Sequence, residues 1–146
     1  MKTIAVIGTG IMGSGIASNF LKQGFRVYVW NRDSQKLGSL IAQGAVALDT
    51  PRQGADLAEI IFEVTANDES SRSVWTSEDG ILSGAKADSI LISCATISVE
   101  WVDELSKLCR DKNYTFFDMP MTGGRVGAES GNLVLLVGGM SKSSKR

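Results

Sequence analysis

Apolar residues arrive along the chain in short runs rich in Val, Ile and Phe, and the stretches between them repeat apolar positions at helical spacing. The runs predict strands over residues 3–7, 26–30, 45–48, 60–64, 89–93, 115–117 and 133–137. The intervening pattern predicts helices over 11–23, 34–43, 68–75 and 98–111. In the last of these, Val102, Leu105, Leu108 and Cys109 share one face while Asp103, Lys107 and Arg110 take the other. Gly24 and Gly44 stand where left-handed caps close the first two helices, and Ser34 and Ser98 stand where a hydroxyl caps the start of the second and fourth. Strand and helix in alternation predict an α/β fold, a parallel sheet with helices on both faces.

Length and composition fit one domain: 146 residues, 43% hydrophobic and 21% charged. Residues 1–140 are expected to form it, with "SKSSKR" (141–146) as a polar tail, disordered or artificial, that has nothing to bury. The net charge of −1, with both signs interspersed, points away from nucleic acid and acidic membranes and towards small molecules or proteins as partners. Cys94 and Cys109 form no CxxC pair and histidine is absent, so neither a disulfide framework nor a zinc site is expected. The opening apolar run is far shorter than the roughly 20 residues that span a bilayer, and it breaks into glycines rather than a cleavage site. The expectation is a soluble cytoplasmic protein.

Those glycines carry the chemistry. In "IAVIGTGIMGSG", Gly8, Gly10 and Gly13 follow a strand and open a helix, the context in which a G-x-G-x-x-G pattern becomes informative. Gly8 suits the tight turn, Gly10 a close backbone approach by a pyrophosphate, and Gly13 close packing of helix on strand. Unpaired amides at the helix start favour an anion without any basic side chain. A bare strand-to-helix connection would use the same glycines, so the end of the second strand decides between the two.

A site for NAD usually places an acidic residue there, about 20 positions on, to hold the ribose hydroxyls. Here "VYVWNRDSQK" supplies Asn31 and then Arg32. A neutral amide does not repel a 2′-phosphate, and a guanidinium can stack on adenine and bind a phosphate in bidentate fashion. Lys36 adds a second cation and Ser34 a hydroxyl, while the Asp33 carboxylate faces either solvent or ribose. NADP is favoured over NAD.

The stretch from Ile4 to Arg32 resembles the opening of the β-hydroxyacid dehydrogenases, the family of 3-hydroxyisobutyrate dehydrogenase, 6-phosphogluconate dehydrogenase and the NADPH-dependent glyoxylate and succinic semialdehyde reductases. A second match, "FDMPMTGGRVGAESGNLVLLVGG", is similar to that family's substrate-binding segment, and the two occur in the family's order. The resemblance implies a Rossmann-type doubly wound, mostly parallel sheet. It implies that Gly8, Gly10, Ile11, Met12 and Gly13 line the cofactor phosphates, that Asn31, Arg32 and Lys36 hold the 2′-phosphate, and that Val64, Thr65 and Thr96 meet the nicotinamide side. Glu63 and Ala66 depart from the family's usual residues. Thr122, in the family's serine position, would present a hydroxyl to a small carboxylate substrate, with backbone amides from Gly123 and Gly124.

Members of the family transfer hydride between the nicotinamide and a hydroxyl-bearing carbon, with a lysine in a helical C-terminal domain as general acid and base. This sequence stops before that lysine, and neither Lys142 nor Lys145 stands in its pattern. The chain is therefore expected to bind NADPH, to turn over β-hydroxy acids poorly or not at all, and to self-associate through an exposed apolar docking patch. Two rival readings use the same features: a cofactor domain like that of the imine reductases, which the TGG segment disfavours, and a non-catalytic nucleotide-binding module. Cys94 is expected to be a small buried apolar residue rather than a nucleophile.

Overall fold

The computed structural model describes residues 2–122 and 134–135. Six strands form one parallel sheet: β1 (Thr3–Ile7), β2 (Arg26–Trp30), β3 (Val46–Ala47), β4 (Ile60–Glu63), β5 (Ile90–Ser93) and β6 (Thr115–Asp118). Their order is β3-β2-β1-β4-β5-β6, every neighbouring pair parallel. The helices between them are α1 (Ile11–Lys22), α2 (Gly38–Ala42), α3 (Pro51–Leu57), α4 (Asp68–Thr76), α5 (Ile81–Gly84) and α6 (Val99–Asp111). Beyond the sheet, β7 (Met121–Thr122) pairs antiparallel with β8 (Val134–Leu135).

The apolar run of β1 has a direct cause, because the strand is buried on both faces. Ala5 and Ile7 join the core under α3 to α6, with Trp75, Trp101, Leu105 and Phe116, whereas Ile4 and Val6 join the core under α1 and α2, with Ala17, Val29 and Leu40. Successive side chains point to opposite faces, so both sets must be apolar. Trp75 and Phe116 meet edge to face, their centroids 5.7 Å apart, in the first core.

Several expectations change in detail. The helix expected over 34–43 is a 3₁₀ turn, Ser34–Leu37, followed by α2. Its cap is Asp33, whose carboxylate accepts from the Gln35 amide; Ser34 is already inside the turn. Gly24 and Gly44 do adopt left-handed backbone, φ +88° and +108°. Ser98 caps α6 by accepting from the Trp101 amide. Helices α3 and α5 were not expected: "PRQGADL" has no apolar period, and α5 is a single turn. Proline at the first turn of α3 and the Thr50 hydroxyl accepting from Gln53 nevertheless start it in the usual way.

The strand expected over 45–48 keeps only its centre, since the Ala45 amide closes α2 on the Leu40 carbonyl. Of the strand expected over 133–137, the described part is β8. Gly123, Gly124 and the expected 140/141 boundary lie outside the described residues. Among the described residues no helix is long and apolar enough to cross a membrane, and the large apolar side chains left exposed are Ile11, Ile41, Val46, Leu57 and Val99.

Candidate functional site: a groove at the carboxyl ends of β1, β2 and β4

The chain runs outwards from β1 through β2 to β3, then returns to lay β4 on the other side of β1. Loops leaving β1 and β4 therefore diverge to opposite faces and open a crevice between them, the switch point where doubly wound sheets bind ligands. A groove of about 520 Å³ occupies this place, lined by Gly8, Gly10, Trp30, Asn31, Arg32 and Lys36 on one side and by Val64, Thr65, Ala66 and the start of α4 on the other. A second hollow of about 480 Å³ shares Gly10 and Lys36 with it and runs along α1 past Ile11, Ser14 and Ser18.

The three glycines have separable jobs. Gly8 turns at φ +100°, and a Cβ there would lie 2.3 Å from the Val64 carbonyl oxygen. A Cβ on Gly13 would lie 1.8 Å from the Gly8 carbonyl oxygen, so helix and loop touch only because that atom is missing. A Cβ on Gly10 would meet nothing within 4 Å. Gly10 thus keeps open the space in front of the helix rather than a contact behind it.

Among the described residues no side chain caps α1, in contrast to α3, α4 and α6, which are capped by Thr50, Asn67 and Ser98. The first-turn amides of a helix have no partner within it. Beside them Thr9 Oγ1 is buried with no hydrogen-bond partner among the described residues. Open space at Gly10, uncapped amides and an orphaned hydroxyl together fit the pyrophosphate of a dinucleotide.

Asn31 is committed to the scaffold: its Oδ1 accepts from the Thr9 amide at 3.0 Å, and its Nδ2 donates to the Asp33 carbonyl at 3.0 Å. Arg32 and Lys36, both exposed, bring positive charge to the groove wall. Asp33 turns its carboxylate onto the Gln35 amide and does not line the groove.

Opposite, Val64 continues the sheet through its amide to the Ile7 carbonyl, which brings Val64 and Thr65 to the groove. Asn67 and Ser70 also line the groove, and their signal in the sequence is that of an N-cap, the Asn67 side chain accepting from the Ser70 amide three residues on. Trp30, Glu69, Ser73 and Val74 also line the groove without having been singled out. Of the residues expected on the phosphates, Gly8 and Gly10 line the main groove and Ile11 the second hollow, while Met12 lines neither and Gly13 is packed behind the loop. Thr96 is exposed in the loop after β5 and lines neither. For Thr122 the described feature is its backbone, in β7.

The charged groups at this edge interact. Asp118, at the end of β6, has its carboxyl pushed above the usual range by partial burial and by the nearby Glu63 carboxylate. The Cys94 thiol is pushed up to about 12, by burial first and then by Glu63 and Asp118. Cys94 is accordingly a buried thiol and not a nucleophile, as its apolar surroundings in the sequence suggest.

Topology, glycine loop and groove define a dinucleotide-binding domain of the doubly wound class. Residues 3–146 match the sequence profile of the NAD binding domain of 6-phosphogluconate dehydrogenase, and the chain belongs to that family of oxidoreductases, which includes the 3-hydroxyisobutyrate dehydrogenases. An uncharacterised oxidoreductase of Bacillus subtilis, YfjR, is 38% identical over 97% of this chain and 50% of its own length. The 3-hydroxyisobutyrate dehydrogenase of Pseudomonas aeruginosa is 32% identical over 100% of this chain and 49% of its own. The solved structure of Psf3 in complex with NADP+ and 2-OPP superposes with a TM-score of 0.90 at 28% identity, covering 96% of this chain and 50% of that one. The chain spans about half the length of each of these three proteins.

Proposed function

We propose that this chain is the NADP(H)-binding half of an oxidoreductase that transfers hydride between NADP(H) and a small β-hydroxy acid or aldehyde acid. The observation that carries the cofactor choice is the placing of Arg32 and Lys36 on the same groove as the glycine loop, with a neutral Asn31 at the end of β2. Two cations beside a neutral Asn31, with the Asp33 carboxylate turned onto the Gln35 amide, suit a 2′-phosphate, whereas a ribose diol would be held by an acid. The NADP+ named in the Psf3 complex supports the same choice.

In this reading Gly8, Gly10 and Ile11 face the pyrophosphate with Gly13 packed behind the loop, Arg32 and Lys36 take the 2′-phosphate beside the neutral Asn31, and Val64 and Thr65 meet the nicotinamide side. A bound dinucleotide would supply or accept the hydride, and the groove residues would hold it in place. Thr122, Gly123 and Gly124 hold the substrate carboxylate, a role supported by the hydroxy-acid substrate in the name of the Pseudomonas relative.

Equilibrium titration with NADPH and NADH tests the cofactor choice. The expected result is tighter NADPH binding, with Arg32→Ala weakening NADPH about tenfold or more and leaving NADH unchanged, the scale of a charge-assisted contact. Equal affinities that Arg32→Ala does not alter would remove the 2′-phosphate site. Competition by small β-hydroxy carboxylates, set against cyclic imines, tests the substrate class.

A further inference from the structure

Glu63 closes β4 and is fully buried, an unusual place for a carboxylate. Its Oε1 accepts from the Trp75 indole N–H at 2.8 Å and from the Ser93 hydroxyl at 2.6 Å. Its Oε2 accepts from the Thr65 amide at 3.3 Å and from the Thr65 hydroxyl. Trp75 comes from α4 and Ser93 from β5, so the carboxylate is gripped on the side away from Thr65 and cannot swing free. Residues i and i+2 of an extended chain share a face, which is why Glu63 reaches the residue two further on.

A carboxylate oxygen offers only lone pairs, so each of these partners spends a proton on it. The Thr65 hydroxyl has one proton and two lone pairs. With its proton held by Glu63, the hydroxyl has only lone pairs left for a ligand that reaches it from the groove Thr65 lines, while the Thr65 methyl lies on the Gly8 side. An unconstrained threonine would rotate to donate or accept as a ligand required; this one cannot.

We propose that Glu63 is a positioning residue that fixes the Thr65 hydroxyl as an acceptor, and so makes the nicotinamide end of the groove selective for a hydrogen-bond donor, the cofactor's carboxamide N–H or a ribose hydroxyl. The inference rests on the reading of the groove as a nicotinamide dinucleotide site. A site built to pair one polar group discriminates strongly against an analogue that lacks it, because its own group is then left unpaired. In Glu63→Gln the amide oxygen can stay with Trp75 and Ser93, so its NH₂ faces Thr65, whose backbone amide loses its acceptor. The hydroxyl must then turn to accept, and its proton is released to the groove.

The test titrates the chain, Glu63→Gln and Thr65→Val with adenosine 2′,5′-bisphosphate, NADP+, its 3-acetylpyridine analogue, which lacks the carboxamide donor, and an analogue deoxygenated on the nicotinamide ribose. The unaltered chain is expected to prefer NADP+ over one of the two analogues by about tenfold, and which one identifies the donor. That ratio should fall to within about twofold in both variants, with affinity for the bisphosphate unchanged, a pattern that general loosening would not produce. A ratio retained in Glu63→Gln, or no discrimination in the unaltered chain, overturns the assignment. No binding of any probe, the bisphosphate included, overturns the cofactor reading and this assignment with it. If Glu63→Gln fails to fold, NMR of the unaltered chain decides: a Thr65 hydroxyl proton protected from exchange supports the contact, and a freely exchanging one refutes it.

Discussion

The Asn31 side chain accepts the Thr9 amide proton at 3.0 Å, and the Trp30 carbonyl accepts the Gly8 amide proton at 2.8 Å, so the end of β2 holds the glycine loop leaving β1 by one side-chain and one backbone bond. Asn31 thereby helps to shape the loop and also sets the charge at the end of β2. The two jobs can be separated by substitution.

Asn31→Ala removes the acceptor for the Thr9 amide and the donor to the Asp33 carbonyl, in a half-buried place. A loss of about 1–3 kcal/mol is expected, read from the urea midpoint. Asn31→Asp keeps an oxygen for Thr9 but adds a negative charge, and is expected to fold while NADPH affinity falls and the NADH to NADPH preference rises.

The glycines predict opposite pairs of effects. Gly13→Ala puts a Cβ against the Gly8 carbonyl oxygen and should destabilise the chain by about 1–3 kcal/mol or more, since backbone cannot give way as a side chain can. Gly10→Ala meets no atom and has ordinary extended backbone, φ −68° and ψ −159°, so its melting temperature should stay the same or rise slightly. Nucleotide affinity should nevertheless drop in Gly10→Ala, because the methyl group enters the space the ligand needs. Calorimetry beside a binding titration separates the two variants.

Asp68, the first residue of α4, accepts from both the amide and the hydroxyl of Ser98, whose own oxygen caps α6. These bonds, with some help from Arg72, hold the Asp68 carboxyl below its usual value of 3.8. A carboxyl depressed in the folded state contributes stability above its unfolded pKa and loses it as pH falls through the folded one. Ser98→Ala should therefore cost about 1 kcal/mol near neutrality from the lost cap, and should flatten the decline of the urea midpoint below about pH 4.

Asp118 behaves in the other sense. Its carboxyl is raised by burial and then by Glu63, so its unfavourable contribution grows as pH rises through the unfolded value and is complete above the folded one. Glu63→Gln removes the neighbouring charge. The Asp118 titration, followed by carboxyl carbon NMR, should then move down towards the ordinary aspartate range without reaching it, because the burial remains.

The parts of this fold that were legible in the sequence are those in which one residue type answers one physical demand. Thr3–Ile7 read as a strand because burial on two faces requires continuous apolar character, Arg26–Trp30 because β-branched and aromatic residues alternate between buried and half-buried positions, and Ser98 read as a cap because its hydroxyl serves a local amide. Pro51–Leu57 was not legible: its helix is held by packing, with Gly54 wedged against Ile7, Leu48 and Ala5, and no periodic stripe announces that. In the candidate site, the sequence points to Gly8, Gly10, Arg32 and Lys36, which line one groove. Glu63 appeared only as a departure from pattern, because its partners Trp75 and Ser93 lie 12 and 30 residues away and the contact exists only in three dimensions.

Both cysteines of the chain are buried, and burial pushes each thiol up to about 12. At ordinary pH neither presents a thiolate to solvent, so a thiol reagent should modify the native chain at a negligible rate and modify both residues once it unfolds. The chain is in effect a ready background for spectroscopy: a single cysteine introduced on the exposed side of the groove can carry a fluorophore or spin label with both natural cysteines left in place.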